Sequence, residues 1–248
     1  MTLIAAFPMY DWPECRSEVD QQWARLRSAL IAEGLPAPER LAREIDLHSL
    51  WRHPDLLIAQ TCWGPMGLGL EAQVIVLGQP DYSDVEGGQG ALYSSAILMR
   101  TKDVQHAPAP QGREAHLPIN DMRNKRLAFN SQDSMSGLIA FERDLEAQGE
   151  SRGIFSERVE TGGHRRSIQA VAQGKADVCS VDCRSWALAQ RFEPSAENLR
   201  VVGWTAKRPG LPFITARTHA SWVEKLRRAL AETGMLAVEP TDAQRVAF

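Results

Sequence analysis

The sequence contains no run of the roughly eighteen apolar residues that a membrane-spanning helix needs. Its N-terminus, Met1-Thr2-Leu3-Ile4-Ala5-Ala6-Phe7-Pro8-Met9-Tyr10, has neither a basic start nor a long apolar centre, so it reads as a first strand and not as a secretory leader. The expected location is the cytoplasm, or the periplasm if a leader lies outside this sequence. Cysteine is scarce: Cys15, Cys62, Cys179 and Cys183 are the only four in 248 residues. That number cannot build a disulfide scaffold, and the spacing has no paired C-x-x-C pattern, which argues against structural zinc. Buried free thiols are the expectation for Cys179 and Cys183, with a redox or bridging role as the lesser alternative. Positive charge is not in surplus either. With 28 Lys and Arg against 31 Asp and Glu, the net charge is -3 and the pI about 6.1, so the broad basic footprint of a nucleic-acid binder is missing. A small-molecule partner is expected, and no nucleic acid.

Motifs of assembled chemistry are also lacking. There is no Gly-x-Ser-x-Gly elbow, no His-Glu-x-x-His and no phosphate loop. The glycine-rich segment Asp84-Val85-Glu86-Gly87-Gly88-Gln89-Gly90 follows no convincing strand. It reads as a flexible loop feeding one long extended strand over residues 91–100, able to carry the chain from one lobe to another. Residues 101–118, with Pro108, Pro110 and Pro118, read as an exposed loop. No cofactor and no metal are expected.

What is present is an α/β alternation in a chain that is 44% hydrophobic and 24% charged, ordinary values for a globular protein with a substantial core. A helix is expected over about Ser17 to Glu33, with Val19, Trp23, Leu26 and Leu30 on one face and Gly34 ending it. Leu56 to Ala59 is a continuous apolar run suited to a strand buried on both faces, and it ends in the small polar residue Thr61. Tyr10, Asp11 and Trp12 follow the first strand, at the carboxyl end where open α/β sheets place ligand contacts.

The most informative stretch runs from Arg126 to Phe141. A short β-like run, Leu127 to Phe129, breaks into Asn130-Ser131-Gln132-Asp133-Ser134-Met135-Ser136-Gly137, and a helical pattern through Leu138, Phe141 and Leu145 follows. Ser134 or Ser136 can cap that helix. The same turn leaves backbone N–H groups at the positive end of the helix dipole, where an anion is favoured. Two further strand-turn-helix junctions carry polar residues: Thr161-Gly162-Gly163-His164, and Ala176-Asp177-Val178 running to Asp182.

The phrase Arg123 to Asn130 leading into Asp133-Ser134-Met135-Ser136-Gly137, then Gly162-Gly163-His164, then Ala176-Asp177-Val178 through Asp182, then Leu199-Arg200-Val201, resembles the phosphate- and phosphonate-binding components of bacterial ABC importers. That family has the type II periplasmic-binding-protein fold. The resemblance implies two α/β lobes, each a mixed sheet flanked by helices, joined by a two-strand hinge and closing on a ligand between them. Lobe 1 would be residues 1–96 with 203–248, and lobe 2 residues 97–202. It further implies that Ser134, the backbone N–H of Met135, Ser136 and His164 hold the oxyanion, and that Asp182 meets a ligand amine. A first-lobe tyrosine contact would come from Tyr10, Tyr82 or Tyr93, with Asp11 and Thr61 as further lining residues.

The function so implied is clamping of a small oxyanion or zwitterion without chemistry, by a monomer that serves an ABC permease. The alternative is a cytoplasmic enzyme or ligand sensor on the same scaffold, with Cys62, Cys183, His164 or Asp182 contributing.

Overall fold

A computed structural model describes residues 3–100 and 106–237. In chain order the elements begin with β1 (Ile4–Ala6), α1 (Arg16–Ala32), α2 (Leu47–Trp51), β2 (Leu56–Gln60), α3 (Trp63–Gly67) and β3 (Val74–Gly78). Next come β4 (Gly88–Gln89), β5 (Leu92–Tyr93), β6 (Ser95–Arg100), α4 (Ile119–Met122), β7 (Arg126–Phe129), α5 (Ala140–Ala147) and β8 (Glu157–Glu160). The chain finishes with α6 (His164–Ala172), β9 (Val178–Asp182), α7 (Cys183–Phe192), β10 (Leu199–Trp204), β11 (Arg208–Pro209), β12 (Phe213–Ala216) and α8 (Val223–Glu232).

The chain divides into two compact units, Met1–Asp81 with Pro209–Phe248, and Tyr82–Arg208. The break points expected after residues 96 and 202 fall inside β6 and β10. Both strands are paired along their lengths within the second unit's sheet, β6 with β9 and β10 with β6. An apolar run long enough to cross between lobes is equally suited to the middle of a sheet.

The first unit holds a four-stranded sheet of order β1-β2-β12-β3, with β1 parallel to β2 and β12 antiparallel to both its neighbours. Burial explains the composition of β2: Leu56, Leu57, Ile58 and Ala59 are fully enclosed, as the uninterrupted apolar run required. Helix α1 turns Val19, Trp23, Leu26 and Leu30 inward, and Gly34 takes the left-handed conformation just past its end. Phe7 meets Trp23 and Phe213 edge-on, at ring separations of 6.0 and 5.8 Å.

The second unit is built on a five-stranded sheet of order β10-β6-β9-β7-β8. Strands β9, β7 and β8 are parallel, and β6 is antiparallel to both β9 and β10. The carboxyl ends of β7, β8, β9 and β10 therefore share one edge with the amino end of β6. Below that edge Ile97, Leu127, Phe129, Leu138, Phe141 and Val178 form part of one apolar cluster.

One local expectation is corrected. The long strand expected over 91–100 is divided at Ser94: β5 pairs with β4, so Gly88 and Gln89 of the presumed loop are themselves extended, and only β6 enters the main sheet. The segment 106–118 is a largely exposed loop, as its prolines predicted, and it is tied down where Leu117 is buried, Ala107 donates its N–H to the Val201 carbonyl and His116 bridges to Trp204. Residues 101–105 lie outside the described residues.

Candidate functional site

The turn after β7 is locally determined. Ser134 caps the helix, its Oγ accepting the Gly137 N–H at 3.1 Å. The N–H groups of Leu138 and Ile139 both reach the Ser134 carbonyl, at 3.2 and 3.0 Å, which widens the first turn, Met135–Ile139, into π-helical form before α5 continues it. Glycine at 137 leaves room for Asn130, since an added Cβ would lie 1.9 Å from Asn130 Oδ1 and force that side chain to move. From the sheet below, Ser180 Oγ donates to the Ser136 carbonyl at 2.7 Å. Asp133 accepts from Ser131 Oγ at 2.7 Å.

The second turn is joined to the first by the parallel register of β7 and β8. Thr161 and Gly162 donate their N–H groups to the carbonyls of Phe129 and Asn130 at 2.8 Å each. Gly162 adopts φ 78°, a conformation open to glycine at low cost, and α6 then starts at His164. That helix is held from its outer side by Glu193, which accepts from Arg165 Nε and Gln169 Nε2, both at 2.8 Å. Burial pushes the Glu193 carboxyl up, but the donors Arg165, Ser195 and Gln169 more than reverse it and leave it at about 2.

These junctions bring Ser136, His164 and Asp182 together. His164 Nε2 lies 2.9 Å from Ser136 Oγ and 3.3 Å from Asp182 Oδ2. Asp182 ends β9, is 1% exposed, and also caps α7 by accepting the Ser185 N–H at 2.9 Å. Desolvation holds the His164 pKa below its usual 6.5, with the Asp182 charge opposing it, so the ring is neutral near pH 7. A neutral ring facing a carboxylate carries its proton on Nε2. His164 Nδ1 is buried with no partner among the described residues.

Chemically this is not a nucleophile relay. A serine-histidine-carboxylate relay needs the hydroxyl and the carboxylate on different ring nitrogens, whereas here both address Nε2. Hydroxyl, imidazole N–H and the helix start can instead hold an oxyanion, with a carboxylate close by.

The other expected residues are placed as follows. Ser134 and Met135 belong to the same turn, both buried. Tyr93 lies in β5, buried, its ring 5.6 Å from that of Tyr82. Tyr10, Asp11 and Thr61 belong to the first unit. There Asp11 is engaged by Arg43, Oδ2 at 2.6 Å and Oδ1 at 3.2 Å, and Thr61 is fully buried with its Oγ1 unpartnered among the described residues. None of the four cysteines is in a disulfide, and burial drives the Cys179 and Cys183 thiols far up, which keeps them protonated. Reading by sequence missed Ser180, a serine inside an apolar strand that holds the Ser136 carbonyl; a hydroxyl interrupting a buried run was the available signal.

Together, the two α/β units and the chemistry-free polar cluster define a ligand-binding protein of the type II periplasmic-binding class. A sequence model of the family described as "ABC transporter, phosphonate, periplasmic substrate-binding protein" matches residues 71–245. The chain belongs to that family, and it is a substrate-binding protein, not an enzyme. The fold is similar to that of PhnD1 from Prochlorococcus marinus, solved in complex with methylphosphonate, at TM-score 0.70 and 14% identity over 99% of this chain and 95% of that one. It is also similar to XAC2383 from Xanthomonas citri, solved with ATP, at TM-score 0.66 and 15% identity over 99% and 94% of the two chains. A third likeness is a binding-protein component of an ABC phosphonate transporter from Pseudomonas aeruginosa, at TM-score 0.62 and 13% identity over 95% and 80%. A search of curated proteins finds no match to this sequence. Among the described residues no helix is long and apolar enough to cross a membrane, and no group of His, Cys, Asp and Glu could hold a metal ion.

Proposed function

We propose that this chain binds a small phosphonate or a related oxyanion through Ser134, the Met135 N–H, Ser136 and His164, and that Asp182 meets a cationic or protonated group on the same ligand. The observation that carries the reading is the shared His164 Nε2, 2.9 Å from Ser136 Oγ and 3.3 Å from Asp182 Oδ2. An anion-holding hydroxyl and a carboxylate this close suit a zwitterion or a monoprotonated anion better than a fully ionised one. Tyr93 in the second unit and Tyr10 and Thr61 in the first remain the further proposed contacts, while Asp11 holds Arg43 instead. The proposal extends to a monomer that works in the periplasm and hands its ligand to an ABC permease.

The test is calorimetry and thermal shift with methylphosphonate, 2-aminoethylphosphonate, phosphate and an alkylsulfonate. Ligand binding to the folded state raises the melting temperature. Ser136→Ala removes a hydrogen bond to a charged group, about 1.5–3 kcal/mol, so Kd rises roughly ten- to a hundredfold for every oxyanion that binds. Asp182→Asn weakens the aminophosphonate more than methylphosphonate. The reading is overturned if no oxyanion shifts the melting temperature, or if Ser136→Ala binds each one as the wild type does.

A further inference from the structure

Ser180 stands in the middle of β9, between Cys179 and Val181, in a strand that is buried along its whole length. A hydroxyl in that position costs stability unless it is bonded, and alanine would fill the place without that cost. Ser180 gives its one proton to the Ser136 carbonyl, 2.7 Å away. Its cross-strand partner, Ile97, packs in the apolar cluster with Leu138 and Phe141, on the side of the sheet that carries the Ser134–Gly137 turn. The bond therefore joins the sheet to the turn that supplies the proposed oxyanion contacts.

The Ser136 carbonyl is one end of the Ser136–Gly137 peptide, and the other end is placed as well. The Gly137 N–H donates to Ser134 Oγ at 3.1 Å. A hydroxyl has one proton and two lone pairs, so Ser134 accepts from Gly137 and keeps its own proton to donate. The orientation of Ser134 is fixed by its backbone, whose N–H reaches the Ser131 carbonyl and whose carbonyl takes the Leu138 and Ile139 N–H groups. The result is a chain with one direction, from the Ser180 hydroxyl to the Ser136 carbonyl and from the Gly137 N–H to the Ser134 hydroxyl. Each donation polarises the next group, by roughly 10–30% per bond, so the last hydroxyl becomes the stronger donor. Ser134, Ser136, Gly137 and Ser180 are all buried, which leaves little room for water to screen the chain.

We propose that Ser180 is a positioning residue for oxyanion binding, which acts through the Ser136–Gly137 peptide to aim and strengthen the donation of the Ser134 hydroxyl to the anion. It works from inside the sheet and does not touch the ligand. A polarised donor gains most against a charged acceptor, which is why the effect is read in anion affinity and not in stability alone. This inference rests on the proposed oxyanion site and deepens it.

The experiment is a double-mutant cycle in which calorimetry measures the Kd of methylphosphonate for wild type, Ser180→Ala, Ser134→Gly and the double variant. Glycine is chosen at 134 because it caps a helix nearly as well as serine while removing the hydroxyl. Ser180→Ala is expected to raise the Kd about two- to fivefold, the effect of weakening one hydrogen bond to a charged group without removing it. In the Ser134→Gly background the same substitution should change the Kd less than about 1.5-fold, because the chain no longer ends on a hydroxyl. Equal losses in the two backgrounds would mark Ser180 as merely structural and overturn the proposal. An unchanged Kd in Ser180→Ala beside a weakened Ser134→Gly also overturns it and leaves the oxyanion site standing, as does a Ser134→Gly variant that binds like the wild type while Ser136→Ala is weakened. Should alanine at 180 prevent folding, Ser180→Cys carries the same test, since it has nearly the shape of serine and donates weakly. Failure of the wild type to bind methylphosphonate overturns the site and this inference together.

Discussion

Helix α5, which follows the Ser134–Gly137 turn, is tied to the end of the second unit by a buried ion pair, and removal of that pair is a sharp test of how this unit is held. Asp144 lies in α5 and is 6% exposed; Arg208, in β11, is 16% exposed. Asp144 Oδ1 accepts from Arg208 Nη2 at 2.5 Å, and Oδ2 from Nη1 at 3.0 Å and from the Ala206 N–H at 2.9 Å. Arg208 keeps one other bond, Nη1 to the Ala206 carbonyl at 2.8 Å. Asp144→Ala would leave a guanidinium mostly enclosed beside that carbonyl with its carboxylate partner gone, and breaking such a pair costs about 3–5 kcal/mol when both groups are deeply buried. The partial exposure of Arg208 puts this case near the low end, about 3 kcal/mol. At a urea dependence of about 2 kcal/mol per molar, the midpoint should fall by roughly 1.5 M. Adding Arg208→Met removes the stranded charge, so the double variant should be more stable than Asp144→Ala by about 1–2 kcal/mol. Equilibrium urea unfolding followed by circular dichroism measures all three. Additive losses within about 0.5 kcal/mol would refute the claim that the two side chains stabilise the unit as a pair.

Gly137→Ala should disrupt the turn directly. The new Cβ would meet Asn130 Oδ1 at 1.9 Å and Ser134 Oγ at 3.1 Å, and overpacking of this kind costs about 1–3 kcal/mol. A lowered melting temperature with loss of phosphonate binding is expected, and wild-type values for both would contradict the packing argument. His164 gives a pH dependence whose sign follows from burial. The folded ring binds its proton more weakly than the unfolded one, whose pKa is about 6.5, so stability is full above 6.5 and declines as the pH falls through and below it. His164→Gln should flatten that part of the profile, and equal slopes for variant and wild type between pH 7 and 5 would show that the ring does not titrate as argued. Asp177 acts in a separate window: the Arg126 guanidinium, with Arg100 beyond it, holds its carboxyl well below the usual 3.8, so its contribution is present above that value and lost in stronger acid. Asp177→Asn should therefore leave the His164 slope unchanged while reducing the loss of stability below pH 4.

Much of the fold was legible because its signals are local. Apolar spacing located α1, and the break at Gly34 falls where glycine takes a left-handed conformation after that helix. A serine cap at Ser134 or Ser136 was legible for the same reason, since an N-cap involves only residues three apart, and the structure gives it to Ser134. The division of residues 91–100 and the boundaries of the units were not, because an apolar strand reads the same whether it crosses between lobes or sits inside one sheet.

The sequence by itself determined the alternation of strands and helices, the polar turns at strand ends and the residue types offered there. Each of these depends on backbone preferences and periodicity within a few residues. Only the tertiary structure decided that Ser136, His164 and Asp182 converge, since parallel strand register aligns β7, β8 and β9 at one edge across long separations in sequence. It also decided that hydroxyl and carboxylate share one ring nitrogen, which separates a binding cluster from a catalytic relay. The bond from Ser180 to the Ser136 carbonyl was decided at the same level, because it depends on which strand lies beside β7 and in what register, and not on the residues of β9 alone.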